Sequence, residues 1–190
     1  PLAEPGSYDL PAIGTAADAV LLDDAGERVR LADVYRGGVT VLAFIYTRCA
    51  DICPLVSVRM SEIAALAGEG GIGDELTLVS LSFDPQYDTP AQLARYASAF
   101  RSEADGEPRW LFLTAPDVAT IAPVLEDYRQ PVARKSDATS VTGPFSHLLR
   151  VFLIDGAGNI RNIYSADFLD PRLILNDVRS LLLERRTAEN

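Results

Sequence analysis

Residues 39–46, Val-Thr-Val-Leu-Ala-Phe-Ile-Tyr, are β-branched and aromatic with hardly any polar alternation. A run of this kind predicts a strand buried on both faces, and so the centre of a sheet covered by helices on either side. A second such run, Leu76 to Phe83, follows at a distance that leaves room for one helix. Between them Pro54 suits the first turn of that helix, apolar Leu55, Val58, Ile63 and Leu66 supply its stripe, and glycines 68, 70, 71 and 73 end it.

The same alternation continues along the chain. Thr89 caps a helix that starts at Pro90 and runs to about Phe100. Trp110 to Thr114 reads as a third strand, and Asp117 to Tyr128 as a helix interrupted by Pro123. Residues 130–145 are polar and proline-bounded and read as a loop. Leu148 to Ile154 and Ile160 to Tyr164 form a hairpin about Asp155-Gly-Ala-Gly-Asn159, and Pro171 to Arg186 a closing amphipathic helix. At the other end, Ala19 to Leu22 and Arg28 to Leu31 form a hairpin around Gly26. The proline- and glycine-bearing residues 1–18 form an irregular lead-in to one domain over residues 19–190. The expected architecture is α/β: a mostly parallel central sheet with flanking helices and a hairpin at each end, the outline of a thioredoxin-like fold.

Charge narrows the function. Lys and Arg number 17 and Asp and Glu 27, a formal charge of −10. Such a surface repels phosphate backbones and anionic lipid heads, which argues against nucleic acid as a partner. No apolar stretch approaches the roughly 20 residues that cross a bilayer, so membrane association is expected only through a signal or anchor upstream of Pro1.

A 190-residue chain removes about 70% of its extended surface from water and needs no disulfide staple, so chemistry is the reason to look at its two cysteines. Cys49 and Cys53 sit four positions apart where the first central strand passes into its helix. Ligands of open α/β sheets gather at this end, and a helix N-terminus favours thiolate. The spacing is one residue wider than that of ordinary disulfide reductases. The competing reading is two buried small hydrophobes or a chance disulfide.

His147, the single histidine, stands just before another predicted strand. Alone it reads as a satisfied structural group. Beside the cysteines it completes a set of two sulfurs and one nitrogen, which suits Cu(I) and can add a further ligand for Cu(II). A structural zinc site would want a fourth protein ligand. Met60 reads as core filler. Asp84 and Asp88 follow the second central strand. Turn and cap chemistry accounts for Asp88, while Asp84 has two readings: turn residue, or a group bracing a cysteine-loop N–H or lying behind a metal ligand.

These pieces resemble the Sco/SenC family. Phe44 through Cys49-Ala-Asp-Ile-Cys53-Pro54, then Val79 through Asp84-Pro-Gln-Tyr-Asp88-Thr-Pro90, then Ser146-His147 ahead of Val151 to Asp155, occur in the family's order across nearly the whole chain. The resemblance implies a thioredoxin-fold copper protein in which Cys49, Cys53 and His147 bind one Cu(I) or Cu(II). The copper would be destined for the binuclear centre of cytochrome c oxidase, with that oxidase subunit or another copper or thiol protein as partner. It also implies a periplasmic or other extracytoplasmic location at the inner membrane. Two residues depart from the family's habit: Phe83 in place of valine, and Arg48, whose charge favours a thiolate but would repel copper if it pointed inward. The second function class is a thiol-disulfide oxidoreductase, with Cys49 and Cys53 redox-active, which needs the thiols but not the histidine. A peroxide-reducing enzyme has no further support in the sequence.

Overall fold

The computed structural model describes residues 2–50, 52–135 and 149–190 in full and residues 145–147 by their backbone. Ten strands and five helices follow in chain order: β1 (Gly14–Thr15), β2 (Val20–Asp23), β3 (Arg28–Arg30), α1 (Leu31–Tyr35), β4 (Val39–Ile45), α2 (Ile52–Glu69), β5 (Leu76–Ser82), α3 (Pro90–Ala97), β6 (Arg109–Thr114), α4 (Val118–Asp127), β7 (Val132–Arg134), β8 (Phe145–His147), β9 (Arg150–Ile154), β10 (Asn159–Ser165) and α5 (Pro171–Ala188). Among the described residues no helix is long and apolar enough to cross a membrane.

Eight strands form one sheet in the order β1-β10-β9-β4-β5-β6-β2-β3. Its middle is parallel: β4 runs beside β5 from Val39↔Leu76 to Ile45↔Ser82, and β5 beside β6 from Thr77↔Arg109 to Leu81↔Leu113. The outer strands are antiparallel, β9 against β4 and β2 against β6, so the sheet as a whole is mixed. All seven residues of β4 are buried, as its lack of alternation requires. Both expected hairpins form. Gly26 at φ 83° and Gly158 at φ 82° take the left-handed turn conformation that a side chain would resist.

The sequence reading and the structure part at the short elements. Residues 14–15, expected in the irregular lead-in, pair with β10. The helix α1 was not expected, and the polar stretch from residue 130 to 145 contains β7 and the start of β8, which pair as a two-stranded ribbon. Within that stretch residues 136–144 lie outside the described part, as does Leu148, expected to open β9. The helix α4 continues through Pro123 rather than breaking there.

The stripe expected on α2 also shifts. Val56, Met60, Ile63, Ala64 and Ala67 face the core, while Leu55 and Val58 are 44% and 45% exposed. This helix is apolar on more than one side, so the pattern alone does not say which side is covered. In the core, Phe44 packs edge to face on Tyr128 and on Phe152, and those two rings are tilted against each other, with ring centroids 4.7–6.0 Å apart. The Tyr35 hydroxyl donates to the Ala17 carbonyl at 2.7 Å and accepts from Tyr128 at 2.8 Å, so both phenols are satisfied inside the core.

Candidate metal centre

The strand β4 delivers the chain to a tight turn in which the Cys49 amide donates to the Tyr46 carbonyl at 3.1 Å. Cys53 lies in the first turn of α2, and its amide points back at the Cys49 sulfur at 3.4 Å. One orphan N–H of the helix start is thus turned on the Cys49 sulfur, an arrangement that favours negative charge there. Pro54 has no amide to contribute, which costs nothing in a first turn.

Both residues are reduced thiols, not joined in a disulfide, and are 4% and 0% exposed. The Cys53 thiol is pushed well above the ordinary thiol range, first by its hydrogen bond to the neighbouring Cys49 sulfur and then by burial. Close by, the Tyr96 hydroxyl of α3 shares a 2.8 Å hydrogen bond with Ser57, one helical turn beyond Cys53. Burial above all keeps this phenol protonated, and the two cysteines add to the effect.

The loop after β5 closes over the same end of the sheet. The Phe83 amide donates to the Ile45 carbonyl, and the Asp88 amide to the Asp84 carbonyl at 2.8 Å. The Asp88 carboxylate is fully buried, and its Oδ2 accepts from the Thr47 amide at 3.0 Å and the Ser82 hydroxyl at 2.6 Å; Oδ1 accepts the Thr47 hydroxyl. Burial pushes this carboxyl up, against the pull of the hydroxyl and amide donors. Asp84 is turned elsewhere. It receives Arg48 through Nη2 at 2.6 Å and Nε at 3.2 Å, and the guanidinium lies 4.4 Å above the centre of the Tyr87 ring.

The roles of the two aspartates are thereby redistributed. The group that braces a cysteine-loop N–H is Asp88, for which the sequence predicts only turn and cap chemistry. The cap of α3 is Thr89, whose side chain accepts the Gln92 amide. Asp84 reaches the loop through the side chain of Arg48, immediately before Cys49. The Arg48 charge meets a buried carboxylate, so it is neither loose in solvent nor bare.

Met60 is buried in the core, as expected. His147 ends β8, in register with Val132. Three residues on, Arg150 begins β9, and Val151 pairs with Ala43 near the end of β4; the chain therefore carries His147 toward the end of the sheet that holds the thiols. The His147 side chain lies outside the described part, and among the described residues no three metal-ligating side chains cluster.

An open α/β sheet with a thiol pair at the junction of a central strand and its helix defines a thioredoxin-like dithiol protein. The sequence profile of the SCO1/SenC family matches residues 14–183, and the chain belongs to that family. A mitochondrial SCO2 homolog of Bos taurus is 30% identical over 151 residues, which are 78% of this chain and 53% of that one. The chain thus spans about half the length of this relative. Among solved structures, a SCO1/SenC family lipoprotein from Bacillus anthracis superposes with a TM-score of 0.79 at 22% identity, covering 92% of this chain and 99% of that one. The copper-bound ScoI of Bradyrhizobium japonicum superposes at 0.70 and 25% identity, covering 90% and 99%.

Proposed function

We propose that this protein carries copper as cargo, held by the Cys49 and Cys53 sulfurs and the His147 imidazole, and hands it to the copper-bearing subunit of cytochrome c oxidase outside the cytoplasm. The observation that supports this most is the pair of buried reduced thiols converging at the start of α2, with the Cys53 amide 3.4 Å from the Cys49 sulfur. Two adjacent soft donors in a dry junction suit Cu(I), and one further nitrogen completes a low-coordinate site. Asp84 is the outer group in this reading: through Arg48 it fixes the residue next to the first ligand.

The closeness of the two reduced sulfurs also favours a second reading. In it the Cys49 thiolate attacks a partner disulfide and releases one partner thiolate. Cys53 then gives its proton to that thiolate, attacks the Cys49 sulfur and releases the second, which leaves a Cys49–Cys53 disulfide while the partner gains two electrons. The copper reading requires His147; the exchange reading does not.

Oxidation separates the cargo site from any accidental one. A Cys49–Cys53 disulfide has no anionic sulfur, so the oxidised protein is expected to take up no Cu(I) while the dithiol takes up one equivalent. Equal uptake by both forms would exclude the thiols as ligands.

A further inference from the structure

Phe168 is 86% exposed, out of proportion to any other large apolar side chain described in the structure. It ends the 3-10 turn Ala166–Phe168 that follows β10. The last residue of β10, Ser165, pairs with Arg150 at the start of β9, and the Ala166 amide donates to the Leu149 carbonyl at 3.1 Å. This turn therefore hangs at the thiol end of the sheet, on the strand pair that follows His147. Between it and α2 runs a groove of about 650 Å³ whose apolar lining includes Leu55, Leu66, Phe168, Leu169 and Pro171. Leu55 shares the first turn of α2 with Cys53 but lies on its exposed face, while Cys53 is turned into the core.

We propose that this groove seats the polypeptide that exchanges copper or thiols with the Cys49–Cys53 pair, by an apolar anchor side chain of the partner flanked by a lysine or arginine. The inference rests on the function proposed above and names the chemistry of the partner. With the thiols 4% and 0% exposed, transfer needs a surface brought directly against this end of the sheet, and an apolar groove that reaches the first turn of α2 at Leu55, on the outer face of the helix, supplies a seat for it.

Charge selects the flanking residue. On the groove wall, Glu62 is neutralised by Arg59 at 2.7 Å and Asp170 by Arg172 at 3.0 Å, while Asp167 has no ion pair among the described residues. A cation brought to Asp167 meets its complement, and a chain of charge −10 attracts basic partners from a distance. A second copy of this chain would bring the same acidic excess to the same place, which disfavours it as the occupant.

The test uses the whole protein loaded with Cu(I) and the soluble copper-site domain of the cognate oxidase subunit as acceptor. Copper affinity is measured by chelator competition, and transfer rate against acceptor concentration and salt. Phe168→Ser is expected to raise the half-saturating acceptor concentration about tenfold or more, as loss of an aromatic anchor does, with copper affinity unchanged. Asp167→Lys is expected to raise it as well and to reduce the slowing of transfer by salt.

Transfer by both variants at the wild-type concentration dependence would overturn the groove while leaving the copper function intact. A wild-type protein that binds copper but never transfers it to the acceptor would overturn the function and the groove together. A wild-type dimer in light scattering that Phe168→Ser abolishes would assign the groove to self-association and overturn the proposal.

Discussion

Asp88 holds Thr47 by two hydrogen bonds, one from the amide to Oδ2 at 3.0 Å and one from the hydroxyl to Oδ1. The first residue of the cysteine loop is thus tied to the loop beyond the neighbouring strand, and Ser82 donates to the same carboxylate from β5. Three donors converge on a fully buried acceptor. Asp88→Ala leaves them all without a partner and is expected to lower stability by about 2–4 kcal/mol. Asp88→Asn can still accept from the Thr47 amide and Ser82 at one end and donate to the Thr47 hydroxyl at the other, so it is expected to cost clearly less. Urea denaturation of the two variants checks the ranking; equal losses would contradict it.

The contact between Arg48 and Asp84 is asymmetric, the arginine side chain 35% exposed and the aspartate 3%. Arg48→Gln strands a buried carboxylate and is expected to cost about 1–3 kcal/mol, reduced from the fully buried case by the open side of the arginine. Asp84→Asn strands nothing buried and costs less. Adding Asp84→Asn to Arg48→Gln is therefore expected to recover part of the loss. A double-mutant cycle by chemical denaturation measures this, and additive effects would show that the two side chains do not act as a pair.

The Asp155 turn makes stability depend on acid. Its Oδ1 accepts the Ala157 and Asn159 amides at 3.0 Å each, and its Oδ2 meets Arg161 at 2.9 Å. Burial raises this carboxyl, but the Asn159 amide and the Arg161 guanidinium outweigh it and hold it below the usual aspartate range. With the folded value depressed, the stabilisation is complete above the unfolded aspartate value of about 4 and fades as pH falls through the folded one. Asp155→Asn is expected to lower stability at pH 7 and to flatten its decline below about pH 4. Parallel curves for wild type and variant across that range would contradict the assignment.

What could be read from the chain follows from how far each signal reaches. The strands β4 and β5 announce themselves because a doubly buried strand must be apolar along its length, and the thiol pair because a cysteine beside a helix start has few inert explanations. The elements β1, α1, β7 and β8 are two to five residues long, too short for either period to show. The role of Asp88 is not legible because its partner Thr47 lies 41 residues away across the β4–β5 junction, while the turn and cap chemistry it imitates is local. Leu55 and Val58 matched the helical period but lie on the uncovered side of an evenly apolar helix. Nothing in the sequence marks Phe168 as exposed, since its surroundings are set by the packing of the turn after β10 beside α2.

The central claim is that His147 joins the two thiols in one copper site. It is tested most directly by titrating the reduced protein, wild type beside His147→Ala, with Cu(I) and with Cu(II) while following stoichiometry and absorption. The account predicts one equivalent bound by the wild type, a thiolate-to-Cu(II) charge-transfer band, and a loss of affinity of about tenfold or more in the variant with the band shifted or gone. Tight binding with the same band in His147→Ala would contradict the proposed ligand set and leave Cys49 and Cys53 to thiol exchange.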